Sequence, residues 1–149
     1  MRYFEKPLTA TETDEAMERY NMQLDRDGFS MLAAIDRETD TLAGVLGMQT
    51  MRFAVPNLPQ PAVELGWRLA LSAQGRGLAT EGARAVIDHA FNTVGLREVV
   101  AITIPANTPS RHVMEKLGMT HRPELTFDHP VISPGHPYQQ HVVYSLTNH

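Results

Sequence analysis

Between a strand-like stretch ending near Leu71 and a helical pattern ending near Val94 lies the run Gln74-Gly75-Arg76-Gly77-Leu78-Ala79. A strand that empties through a glycine-rich turn into a helix presents several unpaired backbone N–H groups at one point. The helix dipole adds partial positive charge there, so the turn is suited to phosphate oxygens. A Walker loop would end in Gly-Lys-Ser/Thr, which is absent. A dinucleotide fingerprint would need glycine at 75, 77 and 80, but position 80 is Thr, and no N-terminal βαβ unit precedes it. What remains is Gln-x-x-Gly-x-Ala, a grip for a phosphorylated cofactor of another kind, or a strand–helix turn that uses glycine for steric reasons alone.

Other residues carry chemistry by type and place. Glu64 stands among Val63, Leu65 and Trp67 on a strand pattern. A carboxylate there is costly to bury without a partner or a task. A low dielectric would raise its pKa and suit it to accept a proton. The alternative is a structural hydrogen bond to nearby backbone or to Arg68. Asn107 and Ser110 sit where a strand gives way to a helix, and either can cap that helix. Of the seven histidines, His129, His136 and His141 fall late in the chain. They lack the helical spacing of a zinc protease, so no metal site is expected, and loop packing or acceptor-site polarity is the reading.

These pieces recur in a specific order. Glu64-Leu65-Gly66-Trp67-Arg68-Leu69, the loop at 74–79, Ala79-Thr80-Glu81-Gly82, Asn107-Thr108-Pro109-Ser110 and Met114-Glu115-Lys116-Leu117-Gly118-Met119 span Val63 to Met119. This stretch resembles the GNAT family of acetyl-CoA-dependent N-acetyltransferases, in its RimJ/RimL-like branch. The resemblance implies an α/β fold with a mixed, splayed central sheet flanked by helices, and acetyl-CoA as acetyl donor. The amine acceptor would be a small molecule or a protein N-terminus, attacking the thioester directly. Backbone N–H groups from Gln74, Gly75, Arg76, Gly77, Leu78 and Ala79 would hold the pyrophosphate, with Arg76 and Thr80 adding a charge and a hydroxyl. Leu69 and Ala70 correspond to positions that pair with the pantetheine arm through their backbone. Asn107 would also bond pantetheine, and Ser110 would lie near the cofactor. Glu64 is the catalytic candidate. Where many members carry a tyrosine as general acid, this chain has Met114, which leaves Tyr138, Tyr144, Ser110 or a water. A domain that binds CoA or acyl-CoA without catalysis is the alternative reading.

Composition agrees with this class. At 149 residues the chain reads as one domain, 1–149. Hydrophobic residues at 42% and charged residues at 20% suit a packed core. The absence of cysteine excludes disulfides, zinc-thiolate sites and a cysteine nucleophile. No apolar run approaches the ~20 residues of a membrane span, and the start Met1-Arg2-Tyr3-Phe4-Glu5-Lys6-Pro7 has no apolar signal core. A cytoplasmic protein is expected, without membrane partners. The net charge of −4 argues against nucleic acid as a partner.

The elements that must place these residues follow from pattern. Thr13 to Arg26 reads as a helix capped by Thr13 and stopped at Asp27-Gly28. Phe29–Asp36 and Thr41–Val55 read as strands around a polar turn, and prolines 56, 59 and 61 mark a loop. Ala62–Leu71 is a strand, Gly77–Val94 a helix, Glu98–Ile104 a strand, Pro109–Leu117 a helix and His141–Leu146 a last strand. Gly82 inside a helix costs about 1 kcal/mol relative to Ala, with close packing on the sheet as compensation. The usual first strand and helix of the family, which would precede the segment Met1 to Asp14, are expected to be missing or shortened. Either the chain starts late, or a partner subunit, as in a homodimer, covers the exposed sheet edge.

Overall fold

The computed structural model describes residues 9–149. The reading of the N-terminal residues 1–7 lies outside the described residues. The first helix, α1 (Ala10–Asp27), opens at Thr9 and not at Thr13. The Thr9 hydroxyl accepts the Glu12 N–H at 3.1 Å, and the Glu12 carboxylate accepts the Thr9 N–H at 3.0 Å. This reciprocal box needs Glu or Gln three residues after the cap, which Thr9 has and Thr13 lacks, Ala16 being in that place. The helix stops at Gly28, whose φ of 78° is left-handed as expected at an αL C-cap.

Three antiparallel strands follow: β1 (Met31–Asp36), β2 (Thr41–Thr50) and β3 (Val63–Leu69). β2 stops at Thr50, short of Val55, because its partner begins opposite it at Val63. Likewise β3 stops at Leu69, and Leu71–Ala73 form a 3₁₀ turn. The chain then enters α2 (Leu78–His89), whose last turn widens to a π turn over Ala90–Val94 in place of a uniform helix to Val94. β4 (Glu98–Thr103), α3 (Thr108–Lys116), the short β5 (Thr120–His121) and β6 (Phe127–Asp128), and β7 (Gln140–Thr147) complete the chain.

The strand order is β1-β2-β3-β4-β7-β5, with β6 also on β7. All pairings are antiparallel except that of β3 with β4, which is parallel and in register only at Glu64 opposite Val100. Beyond that point the two strands separate. The sheet is thus two ladders joined at one end of their junction and open at the other, the mixed splayed sheet anticipated above.

Strand alternation sends side chains to two cores. On the helical face, Met48, Leu65, Val99, Ala101 and Tyr144 pack with Ala83 and Ile87 of α2 and Met114 of α3. Gly82 lies against the sheet as anticipated: a Cβ built there would come within 2.4 Å of the Leu46 side chain on β2. On the opposite face, Val100 and Val143 pack with Met51, Val55, Leu58, Leu125 and Phe127. β1 is an outer strand, with Leu32 and Ile35 half-exposed and an open groove of about 790 Å³ between β1, β2 and α2. Among the described residues no strand pairs with the outer side of β1.

Helix α1 is tied to the sheet by one buried side chain. Gln23 donates from Nε2 to the carbonyls of Phe29 and Met48, each at 3.4 Å, and its Oε1 accepts the Thr50 N–H at 3.1 Å. It takes the place of β1 where that strand has ended, satisfying β2 backbone groups that would otherwise be buried and unpaired. Gln23→Met keeps the volume and removes these bonds. It is expected to destabilise the protein by about 1–3 kcal/mol in urea unfolding, and no change would show that the bonds are replaced by water.

Candidate functional site

The turn after β3 has the geometry of an anion site. Gly75 and Gly77 have φ of 75° and 76°, in the left-handed region that other residues avoid. Gly77 is the N-cap of α2, and no side chain caps that helix. The N–H groups of Leu78, Ala79 and Thr80 therefore open toward the turn. A Cβ at Gly75 or Gly77 would meet nothing within 4 Å, so glycine is required here for conformation, and the space beside it is open. The side chain of Gln74 folds back, its Nε2 donating to the Leu69 carbonyl at 3.0 Å, and so fixes the loop to the end of β3.

Arg76 is placed otherwise than its expected role as a phosphate ligand suggests. Its guanidinium pairs with the buried Asp36 at the end of β1 and with Glu38 at 3.2 Å. The Arg76 hydrogen bond holds the Asp36 carboxyl below the usual carboxylate range. In this structure Arg76 braces the loop against the first hairpin, which leaves the backbone N–H groups as the donors an anion could meet there.

At the splay, Leu69 ends β3, and the Ala70 N–H is bonded to the Ala43 carbonyl of β2 at 2.8 Å. Asn107 caps α3, its Oδ1 accepting the Ser110 N–H at 3.3 Å. Ser110 in turn accepts from the Trp67 indole N–H at 3.3 Å. This bond reaches from β3 to α3 across the opening between the ladders. The Ser110 oxygen that accepts it keeps its own proton to donate. Nothing in the sequence connects Trp67 to Ser110, which lies 43 residues away.

Glu64 stands where the ladders meet. Because Leu65 and Trp67 face the helices, alternation puts Glu64 on the other side of the sheet. Its hydrogen-bond partner is neither backbone nor Arg68: Gln49, opposite it on β2, donates from Nε2 to Glu64 Oε1 at 3.0 Å. Burial pushes the Glu64 carboxyl above its ordinary value, against the opposing effects of the Gln49 bond and the positive charge of Arg68.

The other candidates for the general acid differ in setting. Tyr144 is 2% exposed, and its hydroxyl accepts from Arg111 at 3.0 Å, so it is a core residue. Met114 is equally enclosed at 1%. Late in the chain, His129 and His141 pack at a tilt within an aromatic group, their ring centroids 4.8 Å apart and His129 4.6 Å from Phe53. Burial, and then the charge of His141, pull His129 down to about 4, and burial lowers His141 as well. Both are neutral near pH 7. His129 Nδ1 accepts the Val131 N–H at 3.2 Å, and His136 Nδ1 accepts that of Tyr138 at 3.0 Å, which is the loop packing anticipated for them. Among the described residues no three His, Cys, Asp or Glu converge as metal ligands, and no described helix is long and apolar enough to cross a membrane.

A loop with free N–H groups at a helix start lies beside two parallel strands that part, an arrangement with room for an anion and for an extended chain. Comparison with known proteins places the chain more closely. The sequence profile of the acetyltransferase (GNAT) domain matches residues 1–120, and the chain belongs to that family. It is 43% identical over 58 residues to the FsC-acetyl coenzyme A-N(2)-transacetylase of Aspergillus fumigatus, which is 39% of this chain and 25% of that protein. An acetyltransferase of Agrobacterium tumefaciens superposes with a TM-score of 0.73 at 26% identity, over 96% of this chain and 75% of that one. The spermidine N-acetyltransferase of Vibrio cholerae, solved with CoA and spermine, shares the fold with a TM-score of 0.70 at 19% identity, over 97% of this chain and 79% of that one. The chain spans about half or less of the length of the curated relatives it matches.

The Gln49 bond stabilises the ionised carboxylate. Gln49→Met is expected to raise the Glu64 pKa further, since a donor to the charged form is lost. Carboxyl-carbon NMR titration checks this directly, and an unchanged or lower pKa would mean that Gln49 does not act on Glu64.

Proposed function

We propose that this protein is an acetyl-CoA-dependent N-acetyltransferase that acts on a primary amine. The observation that carries the reading is the pair of features at the splay: an uncapped helix start with left-handed glycines on one face and a carboxyl of raised pKa on the other. Acetyl-CoA is the donor substrate. The backbone of 74–80 would receive its pyrophosphate, and Leu69, Ala70, Asn107 and Ser110 would flank the pantetheine arm.

In the proposed reaction the amine nitrogen attacks the thioester carbonyl, forming a C–N bond as the C–S bond breaks. Glu64 takes the proton that the nitrogen loses, directly or through water, and the thiolate leaves. A carboxyl of raised pKa is the stronger base once ionised, which suits this role. Ser110, held by Trp67, would serve the departing sulfur, with Tyr138 or a water as the alternatives, while Tyr144 is enclosed in the core. The RimJ/RimL-like branch, a cytoplasmic location and a homodimer closed over the β1 edge belong to the same proposal. What supports the last of these is that, among the described residues, β1 has a strand partner on one side only.

Gly77→Asp would put a carboxylate in the loop and force a left-handed backbone on a residue with a Cβ. It is expected to abolish acetyl-CoA binding in calorimetry while circular dichroism stays native; retained binding would remove the loop from the donor site. Glu64→Gln is expected to lower kcat by about 10²–10⁴-fold with acetyl-CoA binding intact. An unchanged kcat would take Glu64 out of the chemistry, and absence of acetyl transfer in the wild-type protein would favour the binding-domain reading, which the enclosed Met114 already lends some support.

A further inference from the structure

A second cavity, of about 580 Å³, lies between α1 and the end of β2, and its wall includes Arg19, Tyr20, Arg26, Asp27, Gln49 and Arg52. Gln49 is the link to the candidate site, because the same side chain donates to Glu64 at 3.0 Å. The cavity and the candidate base therefore share one residue. Its size is that of a pocket for a small molecule and not of a macromolecular surface.

The charges around it are unbalanced. Arg26 is doubly bonded to Asp27, with both contacts at 2.9 Å, and the two form a neutral unit. Arg19 lies over the Tyr20 ring, 5.7 Å from its centroid. Among the described residues neither Arg19 nor Arg52 joins an ion pair. Among the described residues, then, two guanidinium groups outside any ion pair stand at one cavity of a protein whose net charge is −4. Such a concavity draws anions and repels polycations, and arginine's planar fork matches carboxylate and phosphate oxygens.

We propose that this cavity receives an acidic group of the acceptor, so that the substrate is a small amine that also carries a carboxylate or a phosphate. The amine end faces Glu64 and the acidic end faces Arg19 and Arg52, with Gln49 between them. This rests on the acetyltransferase reading above and narrows it. A polyamine, the ligand of the Vibrio protein, would bring its charges against the two arginines.

The test is thiol release from acetyl-CoA with matched acceptors. ω-Amino acids from β-alanine to 6-aminohexanoate are each compared with their carboxamides, phosphoethanolamine with ethanolamine, and spermidine stands for polycations. The acidic member of at least one pair is expected to have a kcat/KM about tenfold higher. The carboxylate and phosphate arms show which acid is preferred. Arg19→Gln and Arg52→Gln, both at exposed positions, are expected to raise KM for the acidic amine and leave kcat for its neutral counterpart unchanged. The preference should also shrink as salt rises. Equal rates within every pair, a preference for spermidine, or an acid preference that survives the double variant would overturn the inference while leaving the acetyltransferase reading in place. A preference seen only with acidic peptides would overturn the small-molecule assignment. No transfer to any amine by protein that binds acetyl-CoA would defeat the acetyltransferase reading, and this inference with it.

Discussion

One parallel contact, Glu64 opposite Val100, governs the rest of this structure. The antiparallel ladder β1-β2-β3 and the ladder of β4 with β7 are each well paired, and they join only there. Past it, β3 and β4 expose backbone groups that neither strand satisfies for the other. At the end of β3 other groups take them up: the Ala70 N–H goes to Ala43 of β2 and the Leu69 carbonyl to the Gln74 side chain, so the opening is framed by bonds that turn away from it. The helices on one face hold the opening in shape: α2 packs on β2 and β3, and Arg84 of α2 donates to the Lys116 carbonyl of α3 at 2.8 Å.

The opening also connects the two faces of the sheet. On the helical face lie Trp67, Ser110 and the start of α2, all suited to a carrier with a phosphorylated tail. On the other face lie Glu64, Gln49 and the neutral imidazoles of His129 and His141. The division follows from strand alternation: Glu64 and Leu65 are neighbours in sequence and point to opposite sides. In the proposed reaction, two substrates entering from opposite faces would meet where the strands part, and little covalent chemistry would be asked of the protein itself.

Much of this was legible in the sequence. Glycine at 75 and 77 ahead of an apolar helical stripe marked the turn, and the left-handed backbone found there is one that glycine adopts without steric cost. Asn107 ahead of Pro109 and Ser110 signalled a capped helix. The strands that carry Glu64 and Val100 were visible from β-branched and alternating residues. Their ends were not: β2 and β3 stop where a neighbouring strand stops, and that depends on residues far away in the chain. The start of α1 was misplaced by four residues, yet the capping box Thr9-x-x-Glu12 was there to be read.

What the sequence by itself determined is local: which segments prefer helix or strand, and where glycine turns the chain between them. Only the tertiary structure decided the partners of the long polar side chains. It gave Arg76 to Asp36 on β1, 40 residues away, Trp67 to Ser110, 43 residues away, and Glu64 to Gln49 on the next strand. It also brought Arg19 of α1 and Arg52 beyond β2 to one cavity. The physical reason is range: dihedral preference and capping act within one turn of chain, whereas a charge or a hydrogen-bond donor takes its meaning from whatever folding brings within a few ångströms.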